Sequence, residues 1–172
     1  MTLTPRLRKV ALTAHVASSV GWLGAVVAFL ALAIAGLARQ DAQTVRAVYL
    51  AMDVTGWFVL VPLALASLLT GLLQSLVSKW GLFRHYWVVV KLAITVLATV
   101  ILLMYTQTLG VLADAARESA AAGDGVTGVR SISPVLHAGI ALVLLVTATV
   151  LAVFKPPGVT AYGRRRQTRL HG

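Results

Sequence analysis

Four long apolar stretches dominate this chain and decide its class. They cover residues 10–37, 54–77, 86–112 and 135–154, with short polar segments between them. Each is at least as long as the ~20 helical residues that cross the hydrocarbon core of a bilayer. The hydrophobic share of 59% also exceeds the ~45–50% that is usual in soluble domains. The sequence therefore predicts an all-α polytopic membrane protein, a bundle of four transmembrane helices.

Little chain is left outside these spans, so we expect one transmembrane domain over residues 1–155 and a basic tail over 156–172. The first apolar run is about twice the length of a signal-peptide core, which predicts a retained helix. Residues 120–128, with three glycines, are typical of an external loop. Pro156 and Pro157 are expected to end the last helix. The lack of cysteine excludes disulfides, thiolate metal sites and covalent c-type haem.

The net charge of +10 is divided unevenly between the two sides of the predicted bundle. Basic residues cluster in segments 6–9, 79–84 and 155–169, whereas all five acidic residues lie in the alternate segments. This positive-inside pattern predicts that both termini face the cytoplasm, in a bacterial inner membrane. The basic tail is expected to lie against anionic lipid, so the lipid bilayer, and not nucleic acid, is the expected partner of this charge.

One face of the first helix collects small residues, rings and a histidine. Its members recur at alternating steps of four and three residues, as Ala11, His15, Ser18, Trp22, Ala25 and Phe29. Small residues let membrane helices approach closely, and further small residues occur at Gly21, at Gly24 and at both ends of the segment 67–71. The stripe is therefore predicted to face the bundle and to turn His15 inward.

An imidazole inside a membrane can pack, carry a proton or bind a metal. The third helix begins on the side of the membrane where His15 lies, and His85 is placed at that beginning. Two histidines from different helices suit a b-type haem with two axial imidazoles, so His15 and His85 are candidate iron ligands. Trp22 belongs with the cofactor-binding candidates. The alternative, in which the histidines only pack, stays open.

Two cations lie close to the candidate haem ligands. Arg84 adjoins His85, and Lys91 lies deeper on the third helix. An unpaired ammonium in hydrocarbon is costly, and no carboxylate of this chain is expected on that side. A haem propionate, a lipid phosphate or a substrate acid is therefore the predicted partner. The alternative is that Lys91 extends its stem toward the interface.

At the opposite end, His137 begins the fourth helix and Asp53 begins the second apolar stretch. An interfacial hydrogen bond or ion pair between Asp53 and His137 is the simpler prediction. The alternative is a second haem or a copper site with His137 and Met52 as ligands.

The motifs of the first three spans resemble an uncharacterised family of four-helix bacterial membrane proteins. They are His15 followed by 21-GWLG-24, 56-GW-57 followed by Pro62 and 67-SLLTG-71, and 80-WG-81 followed by 85-HYW-87 and Lys91. That family is more distantly similar to the copper-resistance D membrane domain and to the haem-b-containing bacterial protoporphyrinogen oxidase. The resemblance covers roughly residues 7–112. It implies a working site at His15 and Lys91, while Tyr105 stands where the oxidase has a further histidine.

Three functions remain as hypotheses. The first is a haem-b protein that transfers electrons within the bilayer or senses redox state, with a redox partner in the membrane. The second is a protoporphyrinogen-type oxidase in which Lys91 and Arg84 hold substrate carboxylates. The third is a non-catalytic membrane partner or small-solute carrier. A homo-oligomer is compatible with all three.

Overall fold

The computed structural model describes residues 4–77, 81–122 and 130–165, and these residues form a helical bundle. In chain order the helices are α1 (Pro5–Ala38), α2 (Ala42–Thr55), a π-helical turn (Gly56–Leu60), α3 (Val61–Val77), α4 (Tyr86–Ala122) and α5 (Ser133–Phe154). Several sequence features lie outside the described residues, namely Lys79, Trp80, the glycines of segment 123–128, Arg166 and Arg169.

Four of the helical segments are long and apolar enough to cross a membrane, which confirms the predicted fold class. The second segment is α2, the π turn and α3 taken together, because the helix runs through Ala42–Leu76 without a break. Side chains such as Phe58 and Phe154, each 77% exposed, would form an unfavourable apolar surface in water. The protein is therefore a multi-pass membrane protein, and these exposed apolar side chains face lipid.

The spans contact one another in cyclic order around the bundle. α1 packs against α3 and α5, and α4 packs against α3 and α5 on the opposite side. The core between them contains Trp22, Val26 and Phe29 from α1. Ser18, Trp22 and Phe29 of the predicted stripe are all buried, so this face of the first helix does point into the bundle.

The second span begins earlier than its apolar run suggests. Helix α2 starts at Ala42, where the Asp41 side chain accepts a hydrogen bond from the Thr44 backbone N–H at 2.8 Å. Its buried residues are spaced at three- and four-residue steps, as Val45, Val48, Tyr49 and Met52. That spacing makes α2 amphipathic, so its buried stripe packs on α1 and α4. A search for uniformly apolar segments overlooks such a helix.

The π turn lies directly before Pro62 and explains how the span passes a proline. The Val61 N–H bonds to the Gly56 carbonyl, five residues back. Pro62 has no N–H, and its ring would clash with the carbonyl four residues earlier in a regular helix. One wider turn relieves that clash within a continuous helix.

The two ends of the bundle are named here by their charge. The acidic end contains Asp41, Asp114 and Glu118, together with the beginning of α5. The basic end contains the beginning of α1, residues 81–85 and residues 155–165. Which end faces the cytoplasm stays a prediction.

At the basic end, the chain after α5 returns to the segment before α4. Lys155 ends α5 in a left-handed conformation with φ of 45°. The Thr160 N–H then donates to the Arg84 carbonyl at 3.0 Å, and the Tyr86 N–H donates to the Gly158 carbonyl at 3.3 Å. The described part of the predicted tail therefore lies on the bundle over residues 158–163.

Candidate functional site

A cavity of about 150 Å³ lies toward the basic end between α1, α3 and α4. Its polar lining comes from all three helices, as His15, Ser67, Gln74, Ser75, Lys91 and Thr95. Its apolar lining includes Leu12, Leu68, Trp87, Val88 and Leu92. We call this space the lysine cavity.

Two of the predicted site residues meet in the lysine cavity. Nζ of Lys91 lies 3.2 Å from Nε2 of His15, and Nδ1 of His15 lies 3.1 Å from Oγ1 of Thr70. Both ring nitrogens of the histidine are therefore engaged, one with α4 and the other with α3. Lys91 contacts His15 in the interior instead of extending toward the interface.

The hydrogen-bond partners of Thr70 show which group donates at each contact from Lys91 through His15 to Thr70. Oγ1 of Thr70 donates its single hydrogen to the Ala66 carbonyl, so it accepts from the His15 Nδ1–H. A neutral imidazole with its hydrogen on Nδ1 presents a lone pair at Nε2. The Lys91 amino group therefore donates to His15, and His15 donates to Thr70.

Close approach of α1 and α3 holds His15 in place. A Cβ added at Gly71 would lie 2.9 Å from Cε1 of the imidazole ring, so the histidine occupies space that any side chain at position 71 would take. Nearby, the hydroxyls of Ser19 and Ser67 form a hydrogen bond of 2.8 Å across the same interface. The small residues of segment 67–71 thus form the surface of α3 against which His15 packs.

The lysine cavity contains a cation that has no carboxylate partner in the described part of the chain. Both ion pairs among the described residues involve Arg117, which lies at the acidic end, away from this cavity. Lys91 instead has the neutral ring of His15. In addition, Nε2 of Gln74 is buried and has no hydrogen-bond partner among residues 4–77, 81–122 and 130–165. The cavity is therefore lined by one cationic donor, Lys91, and by a glutamine whose buried amide nitrogen has no partner among the described residues.

The other residues predicted for the haem site lie elsewhere. His85 precedes α4, and its backbone pairs with Val159. Arg84 packs its side chain over Gly81, whose φ is +64°, and its carbonyl bonds to Thr160. Trp22 is buried in the core and lines a different cavity. Neither His85 nor Arg84 is part of the lining of the lysine cavity.

The structure gives different partners to Asp53 and His137. Asp53 lies 3.8 Å from the Arg117 guanidinium. The His137 ring stacks on Tyr105 with a centroid distance of 3.9 Å and an interplanar angle of 16°. Met52, the alternative ligand partner of His137, is fully buried. Asp53 and His137 therefore do not pair in this structure. Asp53 lies on α2, which packs against α4, and Arg117 is a residue of α4. The His137 ring is stacked on Tyr105 instead.

The described residues do not fit a bis-histidine haem in this arrangement. His15 has both nitrogens engaged, and His85 lies outside the cavity that His15 lines. A space of ~150 Å³ holds about one benzene-sized ring, whereas haem contains four pyrrole rings. No group of three or more histidine and acidic side chains is placed to hold a metal ion within the described segments. Haem binding stays a prediction.

The chain matches no protein-family model, no curated protein and no solved structure. The resemblance to the copper-resistance D domain and to the oxidase stays a prediction.

Thr70 and Gln74 were not predicted from the sequence as site residues, although a signal for them exists. Thr70, Gly71 and Gln74 follow Ser67 at three-, four- and seven-residue steps. Those steps place all of them on one face of a helix. Polar residues along a single stripe of an otherwise apolar span indicate a lined cavity, and a search for histidines alone passes over them.

Proposed function

We propose that this protein binds, within the membrane, an amphipathic molecule that ends in an acidic group, with Lys91 as the cationic anchor. The observation that carries the proposal is the amino group of Lys91 in a cavity whose described lining has no acidic residue. The chemical class is a carboxylate or a phosphate monoester on an apolar chain.

The charge of Lys91 is the first argument. A lysine at the centre of a transmembrane helix costs about 3 kcal/mol on insertion scales, and Lys91, the sixth residue of α4, lies nearer the helix end, where the cost is smaller. Neutral imidazole offsets part of that cost through one hydrogen bond, but it supplies no opposite charge. An acid that enters the cavity supplies both, since charge-assisted hydrogen bonds contribute about 1.5–3 kcal/mol each.

The arrangement of donors is the second argument. The Lys91 amino group has donor capacity beyond its contact with His15, and the Gln74 amide is an unused donor in the same lining. A carboxylate or phosphate has several oxygens and accepts from Lys91, and it also accepts from Gln74 once that amide turns toward the cavity. A neutral apolar solute would leave the amide unsatisfied, which is unfavourable in a buried site.

The route of the ligand is the third argument. Leu12 lines the lysine cavity and is 54% exposed on the lipid-facing surface of α1. The edge of the cavity therefore meets the acyl-chain region. A ligand with a polar head and an apolar tail fits this position, with its head at Lys91 and its tail in lipid.

The test uses Trp87, which lines the cavity, as a fluorescent reporter. 2-Bromododecanoate carries its quenching atom next to the carboxylate, and its methyl ester is the uncharged control. Purified protein in detergent is expected to bind the acid about tenfold more tightly than the ester. Dodecyl phosphate is expected to compete if the site also accepts phosphate, and failure to compete restricts the ligand to carboxylates.

Matched variants locate the effect. Lys91→Met is expected to abolish the preference for the acid. Lys9→Met removes the same charge from an exposed position at the same end and is expected to keep the preference. Trp87→Phe removes the reporter. Equal binding of acid and ester by the wild type, or an unchanged preference in Lys91→Met, would refute the proposal.

A haem-b role in electron transfer, redox sensing or porphyrinogen oxidation is a separate proposal, and it rests on the sequence pattern of His15, His85 and Lys91. Its test is an absorbance spectrum of protein purified from haem-replete cells, before and after dithionite. Six-coordinate haem gives sharp α and β bands on reduction, and His15→Ala and His85→Ala are each expected to abolish or convert them. A colourless protein would exclude this role.

A further inference from the structure

A second cavity, of about 170 Å³, lies between α1, α4 and α5, nearer the acidic end. Aromatic rings supply much of its wall, as Trp22, Phe29, Tyr105 and His137. Apolar residues line most of the rest. We call this space the aromatic cavity.

Ser133 fixes the orientation of the stacked pair, Tyr105 and His137. The Tyr105 hydroxyl donates to Oγ of Ser133 at 3.2 Å. Nδ1 of His137 lies 2.9 Å from the Ser133 carbonyl, which only accepts. Nδ1 therefore donates its hydrogen to that carbonyl, and a neutral ring in this orientation has its lone pair at Nε2. No bond to Nε2 is found within the described residues. His137 is exposed and also lines the cavity, so it offers one hydrogen-bond acceptor at the edge of a largely apolar wall.

The size and shape of the aromatic cavity suit one flat ring. A cavity of ~150 Å³ lined by apolar side chains stays dry and binds benzene. Aromatic walls add favourable stacked or edge-to-face contacts with a ring ligand. Ile101 and Ile140 line the cavity from α4 and α5 and are 37% and 57% exposed. The cavity thus adjoins the lipid-facing surface between these helices.

We propose that the aromatic cavity binds one six-membered ring that carries a hydroxyl group, a phenol or quinol dissolved in the bilayer, whose O–H donates to Nε2 of His137. A ring without a donor fills the same volume but makes no hydrogen bond with this nitrogen. The hydroxyl therefore determines specificity, and the apolar walls provide general affinity. This site is separate from the lysine cavity and does not depend on the function proposed there.

The experiment measures quenching of Trp22 fluorescence by 4-bromophenol and by bromobenzene in detergent-solubilised protein. Both probes carry the same heavy atom, and only the first carries a hydroxyl. Concentrations are corrected for partition into protein-free micelles, because the probes differ in polarity. Wild-type protein is expected to bind bromophenol about threefold to tenfold more tightly than bromobenzene, as one hydrogen bond implies. Trp57, Trp80 and Trp87 also fluoresce, so the binding signal is the part of the quenching that is lost in Trp22→Phe.

Two ring variants separate the acceptor from the stack. His137→Phe keeps a ring on Tyr105 but has no acceptor, and it is expected to bind both probes with equal affinity. Tyr105→Phe keeps the Ser133 carbonyl bond of His137, and it is expected to retain the preference for bromophenol. Lys91→Met is also expected to retain it, which distinguishes this site from the lysine cavity.

A variant that fills the aromatic cavity with a larger side chain keeps the test decisive if His137→Phe does not fold. Ala141 lines the aromatic cavity, and Ala141→Leu is expected to weaken both probes. Three results would overturn the proposal: equal affinity for the two probes in the wild type, a preference that survives in His137→Phe, or quenching that is unchanged in Trp22→Phe.

Discussion

The lysine cavity and the aromatic cavity are nearly equal in volume, about 150 and 170 Å³, but the polar groups in their linings differ. In the first, Lys91 has no acidic partner and the Gln74 amide nitrogen has no hydrogen-bond partner among the described residues. In the second, a mostly apolar lining contains one histidine whose Nε2 is an available acceptor. The ligand that each can hold is therefore set by its few polar atoms, because the space alone admits almost any small group.

Helix α1 contributes to both cavities from one continuous stripe. His15 lies in the part that packs on α3, whose small residues bring the two backbones close. Trp22 and Phe29 lie about two and about four turns further along, where α4 and α5 supply large side chains. The same face of a helix thus forms a polar site against small neighbours and an apolar site against large ones.

The topology of the bundle gives the largest expected effect, since its outcome is all or none. A fluorescent-protein fusion at residue 172 is expected to glow in the cytoplasm, and a phosphatase inserted in segment 123–128 is expected to be active outside. The lysine cavity would then open toward the cytoplasmic leaflet. A reversed result would exchange the sides of the two cavities and remove cytoplasmic acids as ligands of Lys91.

Gly71→Ala tests how rigidly the lysine cavity holds its histidine. The added Cβ would lie 2.9 Å from the His15 ring, which is bonded at both nitrogens and has little freedom to move. We expect a loss of about 1–3 kcal/mol in the free energy of unfolding and weaker binding of 2-bromododecanoate. Gly24→Ala is the control, because a Cβ there meets nothing within 4 Å. Equal stability of the two variants would show that His15 is loosely held.

Gly56→Ala makes the corresponding test beside the aromatic cavity. The added Cβ would lie 2.8 Å from Cδ1 of Leu109, which is the flexible end of a side chain that lines the cavity. Leu109 is expected to rotate into the empty space, so the loss in unfolding free energy is expected to stay below about 1 kcal/mol. Binding of bromobenzene is expected to fall as the space fills. Gly110→Ala is the control, and a cost equal to that of Gly71→Ala would contradict the contrast between the cavities.

A double-mutant cycle tests the polar contacts at the acidic end. The pair of Asp53 and Arg117 is partly exposed, so Asp53→Asn combined with Arg117→Gln is expected to show a coupling of about 0.2–1 kcal/mol. Asp53→Asn combined with His137→Gln is expected to be additive within about 0.5 kcal/mol, since the two share no partner. Thermal unfolding in detergent measures both cycles. Coupling only in the second cycle would restore the pairing predicted from sequence.

The smallest effect is expected at Asp41, the cap of α2 outside the membrane. Hydrogen bonds from the side chain and the backbone N–H of Thr44 lower the pKa of this exposed carboxyl below its ordinary value of 3.8. Because the folded pKa is the lower one, the stabilisation is complete above the ordinary pKa and is lost as the pH falls through the folded pKa. Asp41→Asn keeps a capping side chain without titrating, so its unfolding temperature is expected to lack this acidic decline. An identical pH profile for both proteins would show that the cap contributes nothing.

The sequence determined the class of this protein, because spans of apolar residues have no alternative to crossing lipid as helices. It also determined the inward face of α1, since the spacing of Ser18, Trp22 and Phe29 follows directly from the period of a helix. The position of Lys91 in a span was enough to predict that the lysine either has a partner or extends to the interface, because a charge left in hydrocarbon is costly.

Only the tertiary structure decided which side chains meet. His15 is 76 positions from Lys91 and 55 positions from Thr70, and such contacts depend on the rotation and closeness of three helices. The same holds for Arg117, which takes the place beside Asp53 that sequence position suggested for His137. Depth in a membrane can be counted along the chain, but the angular positions of neighbouring helices follow from how their small and large residues fit together.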